Sequence, residues 1–421
     1  MRHAATGILM LALVAAGLGA ARQPSAARAE EIGSLRTEGA SREALRRGQL
    51  AMDDGYLREA ELWFRAAHTH PQVREDAADQ LRKLDREPSF KLDCNETEIA
   101  ATLDELGSGF RRTESRHFVV LSDADASWVR SRIALMEKTR HEFYRAGRKI
   151  DVGLVPHQHK LLCVLMDDYE AFLEFARRHD GVVSPWVAGY YSVPRNRVVF
   201  YNDANGPAFG SALRTIEERE ASRPSVRHAG EGQRAVGASA PGDAGARLRR
   251  AREAVEEDAR NFAVAKTVHE TVHLLAFNTG LQRRDRTYPI WLSEGIASSF
   301  ETHDTQGLFG PERPSPLRAA AFGRLVDEGR LMDWERLVSL VEVPDGEAVE
   351  QVYAQGHALM AHLYRTDRRA LGAYLAELNA KDVPPAEFAA VFAKHFGKPA
   401  DVGSEAAEEG GVMKGRSAAG R

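Results

Sequence analysis

The sequence predicts an α+β fold: a small mixed sheet, then a helix that carries an H-E-x-x-H motif, then a helical C-terminal part, with a helical hairpin in front. Apolar runs at 117–122 and 160–168 alternate with helical patterns, which is typical of strands and helices that pack together. From 316 to 397 the apolar residues repeat at helical spacing. The 421 residues, 43% of them hydrophobic, suffice for two or three domains and a sizeable core.

The first residues have the pattern of a secretory signal peptide. Arg2 precedes an apolar run from 8 to 18, and small residues follow that run. Cleavage is expected after Ala20 or, by the A-x-A rule, after Ala29, so the leader extends to residues 1–29 in the longer case. The run is too short to span a bilayer comfortably, which indicates no stable membrane anchor. We therefore expect an exported protein, either periplasmic or secreted.

Residues 35–90 are predicted to form a helical module. Several of its residues are spaced much as in a tetratricopeptide unit: Ala51, Gly55, Tyr56, Ala60, Phe64, Ala67 and Pro71. A single unit cannot bury its own apolar face. Packing of this hairpin on the neighbouring domain is therefore favoured over a peptide-binding groove, with a protein partner for the module as the alternative.

The main domain is expected over residues 110–400 and begins with the sheet. The strand candidates at 117–122 and 160–168 are separated by a long amphipathic helix near 126–147. A hairpin follows at 188–203, and its turn is expected at Pro194 to Asn196.

Two segments of low apolar content are expected to lie outside the packed structure. Residues 204–245 are rich in Gly, Ala, Ser, Pro and Arg, which indicates a mobile insertion. The tail at 403–421 is predicted to be disordered for the same reason.

The stretch AVAKTVHETVHLLAFNTG, residues 263–280, places His269 and His273 one turn apart on one face of a helix, where both imidazoles can reach one ion. Glu270 lies beside that face. An apolar stripe repeats at i, i+4 and i+7: Val268, Val272 and Leu275. Gly280 is a plausible end of the helix.

A catalytic zinc (Zn2+) needs a third protein ligand and leaves its fourth position for water. The segment YPIWLSEGIASSFE, residues 288–301, is predicted to form a second helix that starts near Pro289. Trp291, Glu294 and Ser298 then share one face, and Glu294 is the carboxylate on it.

Gly295 and Ala297 are small enough to let this second helix approach the first one closely. Twenty residues, 274–293, separate His273 from Glu294. At these positions the sequence resembles the gluzincins, the thermolysin-like clan of zinc metallopeptidases. The W-L-S-E-G-I-A wording is most similar to a poorly characterised branch of exported bacterial proteins with a peptidase-like core.

The resemblance implies His269, His273 and Glu294 as zinc ligands and Glu270 as general base. In the clan, an edge strand beside the metal helix holds extended substrate by backbone pairing, and the strand VVFYND at 198–203 is the best candidate here.

A gluzincin also needs a donor for the oxyanion that forms when water attacks the scissile carbonyl. The segment EQVYAQGHALMAHLYR places Tyr353 and His357 one turn apart on a predicted helix. By resemblance Tyr353 is the first choice and His357 the second, while a packing role is the alternative for both.

The net charge of −4 and the lack of a basic patch with interleaved aromatics argue against a nucleic-acid partner. Cys94 and Cys163 can form one disulfide in an exported chain, although Cys163 lies in an apolar run typical of a buried residue.

The function expected from the sequence is zinc-dependent hydrolysis of a peptide or protein substrate. Two alternatives stay open: a catalytically silent zinc-binding protein, and a helical interaction protein of the cell envelope. An intact Glu270 argues against the first, because binding of a metal does not require it.

Overall fold

A computed structural model of the chain describes residues 37–418, apart from 151, 184–186, 222–240, 314 and 345. Helices accompany a small mixed sheet of five strands, which confirms the predicted α+β class. No helix within the described residues is both long enough and apolar enough to cross a membrane. The expected signal peptide lies outside the described residues.

Three helices form the N-terminal module: α1 (Glu38–Asp53), α2 (Leu57–His68) and α3 (Arg74–Arg86). The first two are the expected hairpin, and α3 is an additional helix. Gly48 lies so close to the Phe64 ring that an added methyl group would be 2.5 Å from it. The small residue therefore permits the close approach of α1 to α2.

The module is docked on the neighbouring domain through arginine side chains. Arg65 donates to the carbonyl oxygens of Pro156 at 3.0 Å and His157 at 3.1 Å. Arg82 donates to the carbonyl oxygen of Leu154 at 3.1 Å. The N-terminal module thus packs against the neighbouring domain, as the sequence favoured.

The sheet follows helix α4 (Glu96–Leu106) and contains both parallel and antiparallel pairs. Its strands are β1 (Arg111–Glu114), β2 (Phe118–Ser122), β3 (Leu161–Met166), β4 (Gly189–Ser192) and β5 (Arg197–Tyr201). The order is β1-β2-β3-β5-β4, with β2, β3 and β5 parallel and the outer strands antiparallel to their neighbours. Strand β1 was not predicted, because its residues, RRTE, have no apolar pattern.

The expected position of the last strand was wrong. The sequence VVFYND was assigned to the edge, but β5 lies between β3 and β4, and β4 is the edge strand beside α8 (Pro241–Asn278). All five residues of β5 are buried, as is typical of an internal strand. The hairpin turn itself is confirmed, with Asn196 at a φ of 49°.

Two helices pack beside the strands. Helix α5 (Ala126–Gly147) matches the predicted range, and its N-terminus is capped by Asp125, which accepts from the backbone N–H of Ser127 at 2.7 Å. Helix α6 (Tyr169–Phe175) continues into a π-helical turn, Ala176–Asp180.

The insertion predicted at 204–245 is largely helical where the structure describes it. Helix α7 (Pro207–Ala221) occupies its first part, and α8 already begins at Pro241. Residues 222–240 lie outside the described residues. The prediction of a mobile insertion was wrong for α7, because Phe209 packs on Phe262 of α8 with ring centroids 5.6 Å apart.

The C-terminal part is helical, as predicted. Its helices are α9 (Ile290–Ser298), α10 (Pro316–Asp327), α11 (Trp334–Ser339), α12 (Ala348–Thr366), α13 (Arg368–Ala380), α14 (Phe388–Phe396) and α15 (Pro399–Ala418). The predicted disordered tail is instead helical up to Ala418. Val402 and Ala406 are buried, and Gly403 lies against the Trp334 ring, so tertiary packing stabilises a segment of low apolar content.

The two cysteines are both free, so the disulfide considered from the sequence is not formed. Cys163 is buried in β3, as its apolar run indicated, and Cys94 is partly exposed.

Candidate metal centre

Helix α8 brings the H-E-x-x-H residues into the interior of the domain. His269, Glu270 and His273 are 0%, 1% and 1% exposed. The predicted apolar stripe is fully buried beside them: Val268, Val272 and Leu275. The helix ends at Asn278, and Gly280 adopts a positive φ of 86°, so the expected end is confirmed.

Helix α9 places Glu294 against the two histidines. The Glu294 Oε2 atom lies 3.1 Å from His269 Nε2, and Oε1 lies 3.6 Å from His273 Nε2. The two Nε2 atoms are 3.0 Å apart. These ligand atoms all lie within 4.8 Å of one another, so His269, His273 and Glu294 can hold a metal ion together.

The three candidate ligands shift one another's pKa values. The burial of Glu294 would raise the pKa of its carboxyl, but His273 and His269 outweigh it and hold that pKa at about 2. Burial lowers the pKa of His273. Burial would also lower the pKa of His269, but the carboxylates of Glu294 and Glu301 outweigh that effect and raise it to about 10. One carboxylate and two imidazole nitrogens form a donor set that zinc accepts.

Glu270 lies next to the ligands and also against the edge strand. A methyl group on Gly189 of β4 would be 3.2 Å from Glu270 Cγ and 3.4 Å from Oε1. Its Oε2 atom is buried and has no hydrogen-bond partner among the described residues. Burial raises the pKa of the Glu270 carboxyl to about 8, while the positive charges on His269 and Lys266 act in the opposite direction.

Tyr353 of α12 contributes an aromatic ring to the same place. Its ring centroid is 6.2 Å from that of His269, and the residue is fully buried. Its hydroxyl has no hydrogen-bond partner in the described part of the chain. Burial, with the nearby carboxylates of Glu294 and Glu270, raises the pKa of this phenol well above its ordinary value. The structure therefore brings Tyr353 to the predicted ligands.

His357 lies one turn further along α12 and has different neighbours. Both of its ring nitrogens are buried and have no hydrogen-bond partner within the described ranges. Burial lowers its pKa to about 4, and the charged groups that act on it are Glu301, Arg318 and Arg365. Of the two oxyanion candidates, Tyr353 is therefore the one that faces Glu294 and Glu270.

Two residues of this centre were missed in the sequence. His269 Nδ1 lies 2.9 Å from Glu301 Oε1, and Arg318 of α10 donates two hydrogen bonds to Glu301 at 2.8 and 2.7 Å. Glu301 is seven residues after Glu294, a spacing of two helical turns that provides a weak signal. Arg318 has no local signal, because only the tertiary fold brings α10 to this point.

Gly295 of α9 lies against a different helix from the one expected. A Cβ atom on Gly295 would lie 2.6 Å from the carbonyl oxygen of Gly356 and 3.1 Å from Met360 Cβ, both on α12. Gly356 in turn lies against Trp291. The expectation that Gly295 faces the first metal helix was wrong; it lets α9 approach α12.

Comparison with protein families gives one match, to a family described as proteins of unknown function, DUF1570, over residues 263–385. That range contains the part of α8 that carries His269 and His273, all of α9, and Glu301, Arg318 and Tyr353, but it covers less than half of the chain. No curated protein matches the chain.

Proposed function

We propose that the chain is a zinc-dependent peptidase of gluzincin type. His269, His273 and Glu294 are the metal ligands in this proposal, and Glu270 is the general base. The observation that carries it is the Glu270 carboxylate, which is buried beside the three ligands with one oxygen free of hydrogen bonds among the described residues. Burial of an ionisable group without a partner costs stability, and groups buried in this way occur most often at functional sites.

Zinc fits the ligands better than a hard cation does. Two imidazoles and one carboxylate are a donor set found in catalytic zinc sites, whereas calcium and magnesium prefer oxygen donors. When bound, zinc supplies a Lewis acid that makes a water acidic near neutral pH and polarises a carbonyl.

The remaining chemistry is performed by the side chains of the chain itself. Glu270 takes the proton of the attacking water and delivers it to the leaving amine. A base works best when its pKa is close to the working pH, and burial shifts the pKa of the Glu270 carboxyl upward from its ordinary value, in the direction of neutral pH. Tyr353 donates a hydrogen bond to the oxyanion. Its hydroxyl is available for this role because it has no hydrogen-bond partner among the described residues.

The position of β4 supports extended peptide as the substrate. This strand pairs with β5 on one side, and its Gly189 lies against Glu270. Since an edge strand offers unpaired backbone groups, a peptide that adds to β4 would lie beside the general base.

A catalytically silent zinc-binding protein is the second candidate. The burial of the ligands, Glu270 and Tyr353 favours it, because each of these five residues is at most 1% exposed. In both cases we propose export to the periplasm or outside the cell, as the leader pattern indicates.

One experiment separates the two candidates. The mature protein is assayed for bound zinc and for cleavage of a peptide library, with and without a chelator. Glu270→Gln is compared with Glu257→Gln, which alters an exposed residue on the same helix. We expect Glu270→Gln to retain zinc and to lose at least about 10²-fold in kcat, with Glu257→Gln unchanged.

Full zinc binding by the parent protein without cleavage of any peptide would support the silent protein. Parental cleavage by zinc-loaded Glu270→Gln would show that the mechanism is wrong.

A further inference from the structure

Both ring nitrogens of His269 contact a carboxylate. Its Nε2 atom faces Glu294, so the other nitrogen, Nδ1, must carry the hydrogen when His269 serves as a ligand. Nδ1 lies 2.9 Å from Glu301 Oε1, which accepts that hydrogen. This contact selects the tautomer and fixes the rotation of the ring.

Glu301 is in turn clamped by Arg318. The guanidinium donates from Nε to Oε2 at 2.8 Å and from Nη2 to Oε1 at 2.7 Å, in a paired, fork-like arrangement. Both side chains are almost completely buried, at 1% and 7% exposure. The same Oε1 atom therefore receives hydrogen bonds from Arg318 and from His269.

The guanidinium is itself fixed by Tyr353. Arg318 Cζ lies 4.9 Å from the centre of the Tyr353 ring, a cation–π contact. A lysine can provide the charge but neither the paired hydrogen bonds nor the flat stacking surface. Arginine is thus the residue type that this position requires.

We propose that Arg318 is a positioning residue for the metal site, which orients His269 through Glu301. The inference rests on the proposed metal binding but not on peptidase activity. A buried ion pair adds little net stability compared with a well-packed apolar pair. The Arg318–Glu301 ion pair contacts the nitrogen of His269 that does not face the metal site, so a role in orienting this ligand accounts for it better than stability does.

The test is zinc affinity, measured by competition with a chromogenic chelator on the purified mature protein. We expect Arg318→Lys to bind zinc about 10- to 100-fold more weakly than the parent protein. The absorption spectrum of the cobalt-loaded variant should also change, because it reports the ligand arrangement.

Arg197→Lys is the matched control. Arg197 is also buried, pairs with Asp180 and Glu105, and stacks on Phe175 at 4.7 Å, and none of these three residues is a proposed metal ligand. Its substitution should leave zinc affinity and the cobalt spectrum unchanged.

A second variant keeps the inference testable if Arg318→Lys does not fold. Glu301→Asp retains the charge but is too short to reach both His269 and Arg318, so it should weaken zinc binding to a similar extent. In the double variant the two losses should not multiply, because both residues act through one contact.

Parental zinc affinity in Arg318→Lys or Glu301→Asp, or losses that multiply, would overturn the inference. No zinc binding by the parent protein would instead refute the metal site on which it rests.

Discussion

Replacement of Gly295 by alanine is expected to disturb the metal centre through helix packing. The added Cβ would lie 2.6 Å from the carbonyl oxygen of Gly356, whereas ordinary contacts begin at 3.4 Å. Because the obstructing atom belongs to the backbone, α9 and α12 must separate by about 0.8 Å. Glu294, the neighbouring residue, moves with α9.

The cost follows from two opposing effects. Overpacking of this kind destabilises a core by about 1–3 kcal/mol. Alanine regains about 0.5–1 kcal/mol relative to glycine inside a helix. We therefore expect Gly295→Ala to lower the free energy of unfolding by up to about 2.5 kcal/mol. Zinc affinity should fall by about tenfold or more, because a ligand has been displaced.

The assay is urea unfolding of the metal-free protein, followed by zinc competition on the folded variant. Gly39→Ala is the control, since its Cβ meets nothing within 4 Å and its helix should become slightly more stable. Parental stability and parental zinc affinity in Gly295→Ala would refute the reasoning, because the close approach of α9 and α12 would then be absent.

The other predictions concern the ligand, the oxyanion donor and the leader. Glu294→Ala should lose stoichiometric zinc, which elemental analysis measures; tight binding by this variant would mean that the third ligand is misassigned. Tyr353→Phe should lower kcat about 10²-fold with KM little changed, and parental kinetics would transfer the donor role to His357. Expressed with its leader, the protein should be exported and begin at Ala21 or Glu30, and N-terminal sequencing of a soluble cytoplasmic product with an intact start would contradict this.

The ligand set was the part of the site most accessible from the sequence. His269 and His273 share a face because helix geometry is local, so their spacing alone predicts that they converge. Its own helical pattern placed Glu294 on one face of the second helix, and the resemblance to the gluzincins implied it as the third ligand. The structure brings all three within reach of one ion.

Other features of the site depended on contacts between distant segments. Arg318 reaches Glu301 across 17 positions of the chain, and nothing near either residue indicates this pairing. The partner of Gly295 was assigned to the wrong helix for the same reason: a small residue signals a close approach but not which element approaches.

The sequence alone determined what local periodicity controls: the α+β class, the long helix at 126–147, the hairpin turn and the face shared by the histidines. Tertiary structure decided the strand order and the helical state of the tail. Strand pairing joins residues far apart in the chain, so an apolar run such as that of β5 does not show which strands lie beside it. The tail has few apolar residues, and its helix gains stability from packing on Trp334. Burial against distant partners is therefore what local sequence patterns leave undetermined in this chain.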